Sequence, residues 1–238
     1  MKLASLLTPM LLRREVNQSL EHFFTKYLKP DMDVYDIGCG EKPFGPFLKG
    51  KVKSHIGVDV ADGFYDPTHI DLVGSAYNVP IPDGHADAVI SSQVIEHLQR
   101  PRDAIKEASR ILKPGGVMFL AFPFMYPLHA VPYDFFRYTE YGAKTILDEN
   151  GFDIVETKRV AGFWFCAGFY TKIYLQGFDR GIIKKLYLAK ILTSILQLIF
   201  LVLHKAEGLA LSLAKRNESE FRALWTVNYI LVATKRAS

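Results

Sequence analysis

Apolar positions recur at helical spacing from about residue 10 to 28, at Leu12, Val16, Leu20, Phe23, Phe24 and Tyr27. That pattern predicts an amphipathic helix, which Lys29-Pro30-Asp31 ends. The period then changes. Short apolar runs follow at 34–37, 56–59, 71–73, 86–91 and 117–122, each of strand length and bounded by turn residues. Ala104, Ile105, Ala108, Ile111 and Leu112 give the stretch after Pro101 one apolar helical face, which Pro114-Gly115-Gly116 is expected to stop. Thr139 reads as the N-cap of a helix over 140–150, with Gly151 just past its end. Two more strands are predicted at 152–159 and 225–235. Strands alternating with helices predict an α/β chain built on a largely parallel sheet.

The stretch between those last two strands breaks the alternation. It opens on Phe163, Trp164, Phe165, Phe169, Tyr170 and Tyr174, and passes Lys184 and Lys185. It then runs from Leu186 to Leu203 with Lys190 as its one charge. A spanning helix needs about 20 apolar residues, so the run is marginal for a crossing. A single crossing also separates the last strand from its sheet. Lys190, Thr193, Ser194, Gln197, His204, Gly208, Ser212 and Lys215 fall on one narrow helical stripe. The broad apolar remainder needs cover from the chain's own domain, a second copy, or a membrane surface.

Val34-Tyr35-Asp36-Ile37 leads directly into Gly38-Cys39-Gly40. A strand feeding such a turn lets a ligand approach backbone N–H groups. Asp59 ends the next strand 21 residues after Gly38, near the spacing at which an acid meets a ribose. Pro43 occupies the third glycine position of the dinucleotide fingerprint. A nucleoside without a pyrophosphate therefore suits the turn better. Asp36 through Gly40 resembles the nucleotide-binding loop of class I S-adenosylmethionine-dependent methyltransferases (type 11-like). Gly74 through Gly84 resembles that family's adenine-side loop, Asp87 through Leu98 its fourth strand, and Glu107 through Gly116 the helix and turn before its fifth. The series covers about residues 30–160. It departs at Ser75, where family members often carry Asp.

The resemblance implies a Rossmann-like, doubly wound, seven-stranded sheet, mostly parallel, with an antiparallel last strand between strands five and six. Residues 1–238 then form one domain with a helical insertion at 160–220. The resemblance also implies S-adenosylmethionine as cofactor, held by Asp36, Gly38, Cys39, Gly40, Asp59, Val60, Ser75, Ala76, Ser92 and Gln93. Phe64 and Tyr65 are candidates to stack on adenine. The proline-broken aromatic loop from Pro123 to Thr139 is where an acceptor should lie. Tyr126, Arg137 and Tyr138 are its candidate binding residues, and His129 and Asp134 its candidate proton acceptors. An internal Asp134–Arg137 pair is the structural alternative. Glu96 and His97 are read as a capping pair, with His97 as a base the competing reading.

Composition narrows the remaining choices. Half-hydrophobic content (49%) supports a sizeable core, and a net charge of +4 is too mild to point to nucleic acid. The two cysteines, Cys39 and Cys166, have neither disulfide-framework nor metal-site spacing, so no metal is expected. Free thiols and the lack of a cleavage-site pattern after Leu12 suggest a cytoplasmic enzyme, peripheral at a membrane. The expected partner is a small or lipid-linked acceptor. Membrane-surface contact or a homodimer through 160–220 is the second expectation, and a non-catalytic donor-binding adaptor is the alternative function.

Overall fold

The computed structural model describes residues 3–61, 66–177, 187–215, 221 and 225–237. Phe64 and Tyr65, Lys184 and Lys185 lie outside them. The elements in order are α1 (Leu3–Tyr27), β1 (Asp33–Ile37), α2 (Gly45–Leu48), β2 (Ser54–Asp59), β3 (Leu72–Val73), β4 (Ala86–Ser92), α3 (Pro101–Ile111), β5 (Leu112–Pro123), α4 (Glu140–Glu149), β6 (Phe152–Val160), α5 (Phe163–Gln176), α6 (Leu188–Leu213) and β7 (Asn228–Lys235). The seven strands form one sheet in the order β3-β2-β1-β4-β5-β7-β6. β1 pairs parallel with β2 and β4, as do β2 with β3 and β4 with β5, whereas β7 is antiparallel. The expected class I architecture is therefore present, with the last strand between the fifth and sixth.

Contacts divide the chain into two compact units. One comprises residues 17–124, 128–158 and 229–238, and holds most of the sheet. Its strands β1, β4 and β5 are buried on both faces, as a sheet covered by helices on both sides requires. Ile37, Val58, Val89, Ile111, Leu120, Phe122, Phe152 and Leu231 belong to one continuous apolar cluster. The C-terminal half of α1 joins this unit through Phe24, whose ring meets Phe119 at 5.0 Å and Phe44 at 5.2 Å, both edge to face. Thr139 caps α4 as its sequence predicts, accepting from the Gly142 N–H at 3.1 Å.

Two boundaries differ from the sequence reading. α1 begins at Leu3, not near residue 10. α3 stops at Ile111 and β5 starts at once with Leu112, so Pro114-Gly115-Gly116 lies inside the strand. The register with β4 jumps from Ala86↔Leu112 to Ala88↔Val117, so the Pro-Gly-Gly segment is taken up as an irregularity in the ladder. Gly115 has φ +76°, which explains the glycine there.

The other unit comprises residues 1–16, 125–127 and 159–228. Its described residues include the N-terminal half of α1, α5 and α6. α5 and α6 approach closely at Gly168, where an added Cβ would lie 2.9 Å from Phe200 Cβ. His204 on α6 is buried beside Phe165, and its Nε2 lies 3.8 Å from Glu15 Oε1. Thr193 and His204 are 8% and 7% exposed, whereas Ile195, Leu198 and Val202 are 52%, 64% and 58% exposed. The middle of the polar stripe therefore turns inward, with Lys190, Ser212 and Lys215 exposed at its ends, and the apolar face turns outward, the reverse of a water-soluble helix.

Candidate active site

The glycine turn is held from below. The N–H groups of Gly38 and Cys39 donate to Val58 O at 2.8 and 3.2 Å, and that of Gly40 donates to Asp59 Oδ2 at 2.8 Å. All three donors are committed to β2. The turn therefore offers close approach and not the open backbone N–H groups that its sequence suggests. Gly38 has φ +72°, and a Cβ there would lie 2.5 Å from Val94 Cγ2. Both the backbone conformation and the packing of Val94 thus require glycine. Gly57 is equally constrained, since its Cβ would lie 2.8 Å from Cys39 Sγ. Cys39 is buried against that glycine, and burial pushes its thiol up to about 12.

Asp36 is buried, with Oδ2 3.3 Å from His55 Nε2 on β2. Burial raises its carboxyl above the usual range while the His55 contact opposes the shift. Its position braces β1 against β2, and it does not line the cleft described next. Lys42 completes the brace, donating to His55 O at 2.9 Å and to Asp71 Oδ2 at 2.5 Å.

A cleft of about 280 Å³ opens at the C-terminal ends of β1, β2 and β3. Gly38, Asp59, Val60, Gly74, Ser75, Ala76 and Tyr77 form one side, and Val94, His97, Leu98, Gln99, Tyr133 and Phe135 the other. Five of the predicted donor residues (Gly38, Asp59, Val60, Ser75 and Ala76) meet here. Cys39, Gly40, Ser92 and Gln93 do not line it. Asp59 accepts from Val60 N at 2.8 Å through Oδ1 and from Gly40 N through Oδ2. Each carboxylate oxygen retains a second acceptor site for a ligand hydroxyl. Ser75 accepts from Tyr77 N at 3.2 Å through Oγ, which shapes the turn where the family often places Asp.

The floor of that turn is clamped by α3. Glu107 accepts from Val79 N at 2.7 Å, and Arg110 donates to Val79 O at 3.0 Å and to Ile81 O at 2.9 Å. Arg110 also donates to Asp83 Oδ1 at 2.6 Å and to Glu107. The Arg110 guanidinium, with help from the Val79 N–H, holds the Glu107 carboxyl below its ordinary range.

Across the cleft, the chain after β4 makes a 3₁₀ turn at Ile95–His97, and the aromatic loop folds back onto it. Phe135 N and Phe136 N donate to Glu96 O at 2.9 and 3.2 Å. His97 Nδ1 lies 2.6 Å from Tyr133 O, and the His97 and His129 rings meet edge to face at 4.8 Å. Asp134 binds Arg137 bidentately at 2.6 and 2.7 Å, and accepts from His129 N at 2.9 Å. The Arg137 guanidinium, reinforced by His129, holds its carboxyl far below the usual range. The Asp134–Arg137 pairing that the sequence offers as the structural alternative is thus present, and Asp134 is too weak a base to accept a proton. Tyr138 is buried between Phe122 and Phe136, and burial pushes its hydroxyl up. Tyr126 belongs to the other unit and stacks on Phe169 at 5.1 Å. Glu96, which the sequence reading set aside as a cap, is fully buried, and burial pushes its carboxyl up to about 8.

Residues 35–120 match a family described as a methyltransferase domain. Over those residues the chain is similar to a methyltransferase domain. A protein of Mycolicibacterium smegmatis named "Probable S-adenosylmethionine-dependent methyltransferase" is 29% identical over 142 residues, 52% of this chain and 53% of that protein. Malonyl-[acyl-carrier protein] O-methyltransferase of Serratia marcescens is 28% identical over 116 residues, 46% of this chain and 45% of its own. Norajmaline N-methyltransferase of Rauvolfia serpentina is 34% identical over 102 residues, 37% of this chain and 35% of its own. The chain thus spans about half or less of these relatives. Among solved structures, a methyltransferase from Archaeoglobus fulgidus superposes with a TM-score of 0.56 at 19% identity, covering 93% of this chain and 94% of that one. The [4+2]-cyclase SpnF does so at 0.57 and 17%, covering 92% and 82%. These likenesses show the fold. The matched residues take in most of β1 to β5 and every cleft residue except Tyr133 and Phe135, and the aromatic loop lies beyond them.

Proposed function

We propose that this chain transfers a methyl group from S-adenosylmethionine to an oxygen or carbon of a small or lipid-linked acceptor. The observation that carries the reading is the cleft itself, in which the donor-side residues Gly38, Asp59 and Ala76 face His97 and Tyr133. The residues present fit the donor. Asp59 has acceptor capacity left for ribose hydroxyls, and Gly38 lines the same cleft beside it. The bound donor supplies a methyl group already activated by its sulfonium. The chain's contribution is to hold the acceptor in line and to exclude water. Tyr133, Phe135 and Phe136 are 53%, 37% and 39% exposed at this rim, which suits an acceptor with an apolar portion.

His97 lines the cleft and its ring meets that of His129, which supports these two imidazoles as the groups that take the proton of an acceptor hydroxyl; Asp134 and Arg137 position His129. Turnover of His129→Ala should fall more than its donor affinity does; equal activity would return His129 to a structural role. The outward apolar face of α6 supports a cytoplasmic enzyme working at a membrane surface. The aromatic loop folded against the cleft, with Tyr133 and Phe135 lining it, favours this enzyme over an adaptor that merely binds the donor. Calorimetric titration with S-adenosylmethionine and its demethylated product, beside NAD as control, is the first test. Saturable binding of the first two alone supports the reading and opens an acceptor screen with lipid-linked sugars and quinone-like molecules. A folded sample that binds neither overturns it.

A further inference from the structure

Glu96, His97 and His129 form a cluster that the family match leaves unexplained. One ligand atom from each lies within 4.8 Å of the others. Glu96 is fully buried, and neither of its carboxylate oxygens has a hydrogen-bond partner among the described residues. A buried carboxylate with no partner is unfavourable, and either protonation or a bound cation relieves it. Two imidazoles stand beside it, with His97 Nε2 3.8 Å from Glu96 Oε1.

The second ring nitrogens decide what those imidazoles present. His97 Nδ1 lies 2.6 Å from the Tyr133 carbonyl, which can only accept, so its proton is assigned to Nδ1 and Nε2 is left with a lone pair. His129 Nδ1 lies 3.2 Å from Asp134 Oδ2 and 3.3 Å from Arg137 Nη2. The guanidinium can only donate, so Nδ1 of His129 accepts from it, while Asp134 holds the His129 backbone N–H at 2.9 Å. Both rings are therefore oriented from behind, His97 by a carbonyl and His129 by the Asp134–Arg137 pair. Such outer-shell support of the ring is what orients metal-binding histidines.

We infer that Glu96, His97 and His129 bind a divalent transition-metal ion such as Zn²⁺ through one carboxylate and two imidazoles. Two nitrogens and one oxygen suit zinc or a neighbouring metal and not Mg²⁺ or Ca²⁺, which prefer oxygen alone. Neighbouring ligand atoms about 2.0–2.1 Å from a tetrahedral ion are about 3.4 Å apart, so closing the triad from within 4.8 Å requires side-chain shifts of about an ångström. Three protein ligands leave open positions. His97 lines the cleft, so those positions face the acceptor side. Resting on the methyl-transfer reading, the ion's role is to hold and acidify an acceptor oxygen in place of direct proton acceptance by His97 and His129, whose ligating nitrogens are then occupied. Metal binding itself does not depend on that reading.

The test uses the full chain, stripped with a chelator and titrated with Zn²⁺ against a competing indicator, with Mg²⁺ in parallel. One equivalent of Zn²⁺ should bind, with no saturable response to Mg²⁺. His97→Ala, His129→Ala and Glu96→Gln should each weaken binding at least tenfold. Asp134→Asn should do so by about 10-fold to 100-fold through His129. His69→Ala, at an exposed histidine, should change nothing. The visible absorption of added Co²⁺ should shift on binding to the parent and not to the His97→Ala, His129→Ala double variant. Wild-type protein that binds no stoichiometric Zn²⁺, or a double variant that binds it unchanged, overturns the site. Donor titration of Glu96→Gln reports separately on folding and on the donor reading, because Glu96 does not line the donor cleft.

Discussion

At the scale of single residues, the donor side was legible because it constrains residue types. A positive φ at the end of a strand demands glycine at 38, and an acid at the end of β2 stands one strand over. Replacing Asp59 by Ala removes a charged acceptor for ribose hydroxyls, an interaction worth about 1.5–3 kcal/mol. Calorimetry should then show donor affinity falling by roughly 10-fold to 100-fold; unchanged affinity would sink the assignment. Gly38→Ala should lower the melting temperature through two separable effects. Its Cβ meets Val94 at 2.5 Å, and left-handed backbone costs a substituted residue about 1–2 kcal/mol. Adding Val94→Ala should recover the first part and leave the second; full recovery would show that backbone strain plays no part. The acceptor side was less legible. Glu96 and His97 meet His129 only because the aromatic loop folds back and Tyr133, Phe135 and Phe136 pin it to the 3₁₀ turn. No local spacing announces a meeting across that distance in the chain. Asp134 and Arg137 sit three apart, so their pairing was visible as an option. Its bidentate geometry, which silences Asp134 as a base, was not.

Elements were read well where periodicity is strong and poorly where an element ends. β4 and α3 appear near their predicted bounds. The helix stop expected at Pro114 falls earlier, because β5 pairs with β4 from Leu112 onward and the ladder outweighs the local turn signal. α3 does more than cover the sheet, since Glu107 and Arg110 hold the backbone of Val79 and Ile81 below the cleft turn. Arg110→Ala takes a donor from the carbonyls of Val79 and Ile81 and leaves Glu107 with the Val79 N–H. It should cost about 2 kcal/mol, read as a lower melting temperature, and should weaken donor binding through the turn. Glu107 adds a pH dependence with a definite sign. Its carboxyl is held low in the folded protein by Arg110. The associated stability is fully present above the ordinary glutamate value of about 4.3 and is lost as pH falls toward the lower folded value. Thermal melts of Glu107→Gln should show less acid destabilisation in that window than the parent. An identical slope would mean that other carboxylates set it.

The scale of the whole molecule raises the question that the sheet does not answer, namely what covers α6. Lys190–Leu213 is apolar and long enough to cross a bilayer, yet only 11% of its most apolar window is buried within the fold. α6 is about 39 Å long and α5, with 14 residues, about 21 Å. The shorter helix falls well below a bilayer core of about 30 Å. A hairpin with one short arm favours lying in the interface over spanning it. The inward turn of Thr193 and His204 supports lipid over water on the outer side, because water would favour the opposite orientation. The sequence revealed the two faces of this helix but not their direction. Leu198 and Val202 are one turn apart and more than half exposed. Burying each in lipid contributes about 1.5–3 kcal/mol, so replacing both with Glu removes enough to abolish binding at ordinary lipid concentrations. The purified chain should sediment with anionic phospholipid vesicles, and Leu198→Glu with Val202→Glu should stay in the supernatant while still binding S-adenosylmethionine. If the parent ignores vesicles and light scattering shows a dimer that the same double variant dissociates, the apolar face is covered by a second copy. The membrane assignment then fails while the donor cleft stands.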